Sequence, residues 1–78
     1  MDVVAGEELL GGEDEADVSR WLTEDGQIVR AGQPIAELET SKVLVQVESP
    51  ADGVVTLIAS EGDVIGPDTV IARVASNA

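Results

Sequence analysis

The sequence predicts an all-β fold, a flattened β-barrel or sandwich with quasi-two-fold symmetry. Residues 18–38 repeat as residues 54–74, at an offset of 36 positions. Within the segment 43–48, valines alternate with other residues at the period of two that is typical of a half-buried strand. The eight glycines and three prolines lie at regular intervals between such segments, as is typical of turns between short strands. Because one copy of so short a β unit cannot bury its apolar face alone, we expect the two copies to share one core.

The repeat is supported by identical and by conservatively related pairs at this offset. The identical pairs are Val18/Val54, Gly26/Gly62, Ile35/Ile71 and Ala36/Ala72. The conservative pairs are Leu22/Ile58, Asp25/Glu61, Val29/Ile65 and Leu38/Val74. Each half therefore reads as a strand, an acid–glycine turn, a short strand, a second turn and a further strand.

The elements follow from these patterns in chain order. Residues 3 and 4 are expected to form an edge strand, and residues 7–17 an acidic loop that contains Leu9 and Leu10. Trp21, the only aromatic residue, is expected to cover the core rather than to bind a ligand. We predict one domain over residues 1–75, with residues 76–78 beginning a linker or tail. The strands expected to supply the core are 18–22, 35–38, 43–47, 54–58 and 70–74.

The composition excludes several functional classes. The formal net charge is −12, from sixteen acidic and four basic residues. This charge disfavours binding to nucleic acid or to anionic membrane surfaces. The chain contains neither histidine nor cysteine, so the ordinary metal ligand sets and the commonest general base are missing. A domain of 78 residues also leaves little room for an enzymatic cleft, and no acid, base and nucleophile constellation is visible. We therefore expect no catalytic residues and no metal site.

The residue singled out by the sequence is Lys42, the only lysine in the chain. It lies between the two repeat halves, with strand-like segments on both sides of residues 40–42. A tight turn there would place Lys42 at the exposed tip of a β-hairpin. Such a lysine can be an ordinary solvated side chain, and it lacks the burial or cationic neighbours of an activated nucleophile. Its central position predicts instead a covalent attachment point that another enzyme acylates.

The segment from about residue 18 to residue 74 resembles a lipoyl domain, the carrier module of 2-oxo acid dehydrogenase complexes. The resemblance rests on residues 39–43, with Gly26 sixteen positions before Lys42 and Gly53 eleven positions after it. Further similarity lies at Trp21-Leu22, Gly32-Gln33, Ser49-Pro50 and Glu61-Gly62. The resemblance implies a barrel-sandwich hybrid of two four-stranded sheets.

The resemblance also implies roles for individual residues. Lys42 would carry lipoate, Thr40 and Ser41 would shape the turn before Val43, and Glu39 would be read by the modifying ligase.

Gly26 and Gly53 would place the hairpin, although a purely structural need for their backbone conformation is an equal alternative. Most lipoyl domains carry aspartate directly before the lysine, and Ser41 at that position resembles the acetoin dehydrogenase branch. In the family the loop at residues 7–17 packs beside the lysine hairpin, but it is unusually acidic here.

The implied partners are those of a carrier. They are a lipoate ligase or lipoyl transferase, a thiamine-diphosphate-dependent decarboxylase, an acyltransferase core and a dihydrolipoyl dehydrogenase. The parent chain would be a dihydrolipoamide acyltransferase. No export signal is visible at the N-terminus, so the expected location is the bacterial cytoplasm, with the mitochondrial matrix as an alternative.

Two other functions remain open at this stage. Biotin carriers share the fold and the central lysine, but their acceptor normally lies between methionines, whereas Ser41 and Val43 flank Lys42. The second alternative is an unmodified module that only binds other proteins, in which Lys42 is an ordinary turn residue.

Overall fold

The computed structural model describes residues 1–76 and shows two four-stranded antiparallel sheets. The predicted linker residues 77 and 78 lie outside the described part. In chain order the elements are β1 (Asp2–Val4), α1 (Gly6–Leu9), β2 (Ala16–Trp21), β3 (Ile28–Val29), β4 (Pro34–Glu39), β5 (Leu44–Glu48), β6 (Gly53–Leu57), β7 (Val64–Ile65) and β8 (Val70–Ala75). The first sheet has the order β1-β8-β6-β3, and the second has the order β5-β4-β2-β7. The predicted all-β fold of two four-stranded sheets is confirmed.

The two sheets are related by the sequence repeat. Strands β3 and β7, and likewise β4 and β8, begin 36 residues apart. The two sheet orders correspond position by position. The equivalent strands are β1 and β5, β8 and β4, β6 and β2, and β3 and β7. The quasi-two-fold symmetry expected from the repeat is therefore present in the strand pairing.

The core lies between the sheets and draws on both repeat halves. The largest fully buried side chains are Leu10, Ile35, Leu38, Ile71, Val18, Val29 and Val55. All but Leu10 belong to strands. Burial of each such side chain contributes about 1.5–3 kcal/mol relative to leaving it in water.

The N-terminal segment was predicted to be an acidic loop over residues 7–17, and this prediction is wrong at both of its ends. Residues Gly6–Leu9 form the short helix α1, and β2 already begins at Ala16. Leu10 is 1% exposed and joins the core, because the helix turns this side chain inward between the acids. The earlier start of β2 follows from pairing with β7, in which Ala16 lies opposite Ile65.

Trp21 is partly buried against the core, as predicted. Its indole Nε1–H donates a hydrogen bond of 3.0 Å to the carbonyl oxygen of Ala59, which satisfies the one polar group of the ring. Residues 1–76 contain no helix that is long and apolar enough to span a membrane.

The connections place the β4–β5 turn and the outer ends of β1 and β8 at opposite ends of the molecule. Ala75, the last residue of β8, lies opposite Val54 at the start of β6. The start of β6 is joined to the end of β5, at Glu48, by a connection of four residues. The β4–β5 turn adjoins the other end of β5, its start. The α-amino group of Met1 donates to the carbonyl oxygen of Val74 at 2.6 Å, so β1 begins at the same end. The five residues of β5 separate the two ends by about 16 Å.

Candidate functional site

Residues 40–43 form the predicted tight turn between β4 and β5. Glu39 and Leu44 face each other as the last paired residues of the hairpin. The backbone N–H of Thr40 donates to the carbonyl oxygen of Val43 at 2.9 Å, which closes the turn. Lys42 lies in this turn and is exposed. The hairpin expected from the strand-like flanks of Lys42 is therefore present.

The side chain of Thr40 holds the turn from the inside. Thr40 is 8% exposed, and its Oγ1 accepts hydrogen bonds from the backbone N–H groups of Lys42 at 3.2 Å and Val43 at 3.1 Å. The same hydroxyl donates to the carbonyl oxygen of Val43 at 3.2 Å. Threonine hydroxyls often stabilise turns through such bonds to the following backbone. The backbone of Lys42 is thus fixed by a buried hydroxyl two residues earlier.

The lysine side chain itself is available for reaction. Within residues 1–76 the two ion pairs join Arg20 to Glu37 at 2.8 Å and Arg73 to Asp2 at 3.0 Å, and neither involves Lys42. The next two residues, Val43 and Leu44, are large apolar residues that remain more than half exposed. An external enzyme can therefore reach the amine and contact an apolar surface directly beside it.

Ser41 connects the turn to the loop that follows α1. Its hydroxyl donates a hydrogen bond to the Oε1 atom of Glu13. The acidic loop therefore lies beside the lysine hairpin, as the family resemblance implied. The role of Glu13 is not visible in the sequence, because the contact joins residues 28 positions apart and no local pattern marks it.

An open cleft with a volume of about 360 Å³ lies on the same side of the turn. Its lining residues are Glu15, Ala16, Asp17, Glu39, Thr40, Ser41 and Val64. Glu39, predicted to be read by a ligase, pairs across the sheet with Asp17, so two like charges face each other there. Glu39, Thr40 and Ser41 are therefore brought together at one cleft, beside a further residue, Val64, that sequence reasoning missed.

The structure does not bring Gly26 and Gly53 to the turn. The N–H of Gly26 donates to the carbonyl oxygen of Val55 in β6 at 2.8 Å. A Cβ atom on Gly53 would lie 2.1 Å from the carbonyl oxygen of Ala75 in β8. Both glycines therefore have contacts within the first sheet. Their role in placing the hairpin stays a prediction.

The acidic side chains do not assemble into a metal site in the part of the chain that the structure describes. Residues 1–76 contain no group of three or more histidine, cysteine, aspartate or glutamate residues arranged to hold a metal ion.

The fold and the exposed lysine hairpin together are typical of one class of protein, the cofactor-carrying domains. The chain belongs to the family of biotin and lipoyl carrier domains, since residues 9–74 match the family model described as "Biotin-requiring enzyme". Members of this class are carriers and do not catalyse the reactions of their complexes.

Sequence relatives come from two kinds of enzyme. The chain is 40% identical over 75 residues to the dihydrolipoyllysine-residue succinyltransferase component of the 2-oxoglutarate dehydrogenase complex of Staphylococcus saprophyticus, covering 95% of this chain and 18% of the relative. The corresponding component from Bartonella vinsonii is 38% identical over 65 residues, with 82% and 16% covered. The acetyl-CoA carboxylase of Dictyostelium discoideum is 35% identical over 54 residues, with 69% and 2% covered. The chain thus spans less than a fifth of the length of these relatives.

A solved structure is similar over most of both chains. The lipoyl domain of the 2-oxoglutarate dehydrogenase complex from Azotobacter vinelandii, determined in solution by NMR, superimposes with a TM-score of 0.71 at 25% sequence identity. The similarity covers 85% of this chain and 85% of that one.

Proposed function

We propose that the chain is a lipoyl carrier domain whose Lys42 bears a lipoyl arm in a 2-oxo acid or acetoin dehydrogenase complex. In this role it shuttles acyl groups and reducing equivalents between a thiamine-diphosphate-dependent decarboxylase, an acyltransferase and a dihydrolipoyl dehydrogenase. The observation that carries the proposal is the exposed Lys42, the only lysine of the chain, at the tip of a hairpin whose turn is held by Thr40. Its predicted location, the bacterial cytoplasm, forms part of the proposal.

The residues at the hairpin fit this cofactor. A ligase would form an amide between the Lys42 amine and an activated carboxyl group, which removes the positive charge of the lysine. When bound, lipoate supplies the redox-active sulfur atoms that a chain without cysteine lacks. The protein's own contribution is to hold the attachment point and to keep the arm at high effective concentration near each partner site.

Biotin is the second candidate, and the carboxylase relatives favour it. Lipoate is supported by the longer match to a succinyltransferase component, which covers 95% of the chain against 69% for the carboxylase relatives. The flanking residues also support lipoate, because the family's biotin acceptors normally lie between methionines and the only methionine here is Met1. An unmodified protein-binding module is the third possibility, and only a modification assay separates it from the other two.

The test is the intact mass of the protein after incubation with lipoate ligase, ATP and lipoate, run beside biotin ligase with biotin. We expect one lipoyl increment on the wild type, mapped to Lys42, and none on Lys42→Arg. The variant should fold like the wild type by far-UV circular dichroism, because Lys42 is exposed and its side chain takes part in neither ion pair of residues 1–76. A biotin increment would assign the domain to a carboxylase, and modification of the Lys42→Arg variant would contradict the attachment site.

A further inference from the structure

The turn that carries Lys42 is held from two sides. On the inner side, the buried hydroxyl of Thr40 binds the backbone N–H groups of Lys42 and Val43. On the outer side, the hydroxyl of Ser41, the residue directly before Lys42, donates to the carboxylate of Glu13. The first contact is local, whereas the second joins the turn to a different segment of the chain.

Glu13 is itself fixed to the core. Its backbone N–H donates to the carbonyl oxygen of Leu10 at 3.2 Å, and Leu10 is 1% exposed within the hydrophobic core. The two glycines between them are also held, since the N–H groups of Gly11 and Gly12 donate to the carbonyl oxygens of Glu8 and Glu7 at 3.2 and 3.1 Å. The Glu13 carboxylate therefore lies on an ordered segment. Its hydrogen bond fixes the position of Ser41 relative to the core.

We propose that Glu13 is a positioning residue for the acceptor turn, which acts through Ser41 to hold Lys42 in the geometry that the modifying ligase recognises. The part that concerns the ligase rests on the proposed lipoyl carrier function. The part that concerns the order of the turn rests on the Glu13–Ser41 contact alone. The two parts can therefore be tested separately.

The chain offers a matched control for charge. Glu15 is exposed, lies two residues after Glu13 and lines the cleft beside Ser41, but within residues 1–76 its side chain takes part in no hydrogen bond. Removing either carboxylate changes the net charge by the same amount. Only the loss of Glu13 also removes the contact with Ser41.

The first experiment measures the order of the turn without any modification. Endoproteinase Lys-C cuts after lysine, and Lys42 is the only lysine, so the rate of cleavage reports local opening of the turn. A hydrogen bond to a charged group at a partly exposed site predicts cleavage about three to ten times faster for Glu13→Ala and for Ser41→Ala. The double variant should be no faster than the faster single variant, because both changes remove the same contact.

Two further variants show whether the hydrogen bond is responsible. Glu13→Gln retains a carbonyl oxygen that can accept from Ser41, so its cleavage rate should stay within about twofold of the wild type. Glu15→Ala should also behave like the wild type. Urea denaturation of each variant checks that faster cleavage does not reflect global unfolding.

The second experiment measures lipoylation of the same proteins by lipoate ligase. We expect kcat/KM to fall about three- to tenfold for Glu13→Ala, mainly through a higher KM, and to be retained in Glu13→Gln. Additive effects of Glu13→Ala and Ser41→Ala would overturn the proposal. An equal loss in Glu15→Ala or Glu13→Gln, or a Glu13→Ala variant with wild-type cleavage or wild-type modification, would also overturn it. Failure of the wild type to accept lipoate, with cleavage still dependent on Glu13, would refute the lipoyl carrier function and leave the positioning of the turn established.

Discussion

The same substitution at two buried threonines is expected to change stability in opposite directions. Thr40 and Thr23 are 8% and 6% exposed. The Oγ1 atom of Thr40 takes part in three hydrogen bonds within the turn. The Oγ1 atom of Thr23 is buried and has no hydrogen-bond partner among residues 1–76. Valine has nearly the same shape as threonine but lacks the hydroxyl. Thr40→Val therefore removes bonds, and Thr23→Val removes an unsatisfied polar group.

The magnitudes follow from these contacts. The three bonds of Thr40 have lengths of 3.1–3.2 Å, so each is assigned a value near the lower part of the usual range of about 0.5–1.5 kcal/mol. After an offset of about 0.8 kcal/mol for the added methyl group, Thr40→Val should lower the free energy of unfolding by about 1–2 kcal/mol. Thr23→Val should raise it by about 1 kcal/mol, because the buried hydroxyl is not compensated. Each kcal/mol corresponds to about 4–8 °C in Tm for a domain of this size.

The assay is equilibrium urea denaturation followed by far-UV circular dichroism, with Trp21 fluorescence as a second probe. Thr56→Val serves as a control, because Thr56 is exposed on β6 and should change stability by less than about 0.5 kcal/mol. A decrease in stability for Thr23→Val that equals the decrease for Thr40→Val would refute the reasoning. It would show that the hydroxyl contacts of Thr40 do not hold the turn.

Two further predictions concern the backbone and the charges. Gly53→Ala should lower the free energy of unfolding by at least about 2–3 kcal/mol, because its Cβ would overlap the carbonyl oxygen of Ala75. Gly26→Ala should cost only about 1–2 kcal/mol, since its φ is +86° but open space surrounds the added atom; equal losses in urea denaturation would contradict this difference. Asp17→Asn should raise the free energy of unfolding by about 0.2–1 kcal/mol at low salt, because it relieves repulsion from Glu39 across the strands, and a gain that does not shrink in high salt would exclude this cause.

The parts of the fold that could be predicted are those in which local pattern and packing agree. The repeat, the alternation along residues 43–48 and the turn residues all indicate short strands, and the observed strands follow them closely. Leu10 was not assigned to the core, because it lies among acidic residues that indicate a solvated loop. Its burial depends on α1 turning the side chain between the sheets, which is a tertiary effect.

The site divides in the same way. The turn at residues 40–43 is encoded locally, by strand-like flanks and by threonine at a position where its hydroxyl reaches the following amides. The positions of Glu13 and Val64 depend on segments far away in the sequence. The pairing of Asp17 with Glu39 also requires the register of β2 on β4, which shifts at an irregularity between Val18 and Arg20. No pattern in the sequence predicts such an irregularity.

The symmetry of the fold relates the hairpin that carries Lys42 to a pair of strands without a connecting turn. The pairing of β4 with β5 in one sheet corresponds to the pairing of β8 with β1 in the other. In the first sheet the strands β8 and β1 are not joined by a turn, because they lie at the two ends of the described chain. The symmetry operation therefore exchanges the turn that carries Lys42 with the open end formed by β1 and β8.

Under the proposed carrier function, this arrangement would separate Lys42 from a tether at the open end. A carrier joined to a larger protein through the open end presents its lysine on the opposite side, at the far end of β5. The length of the domain then adds to the reach of the modified side chain, and the tethering segment does not obstruct the enzymes that act on it. A lysine near β1 or β8 would have neither advantage, so the position of the lone lysine agrees with the proposed carrier function.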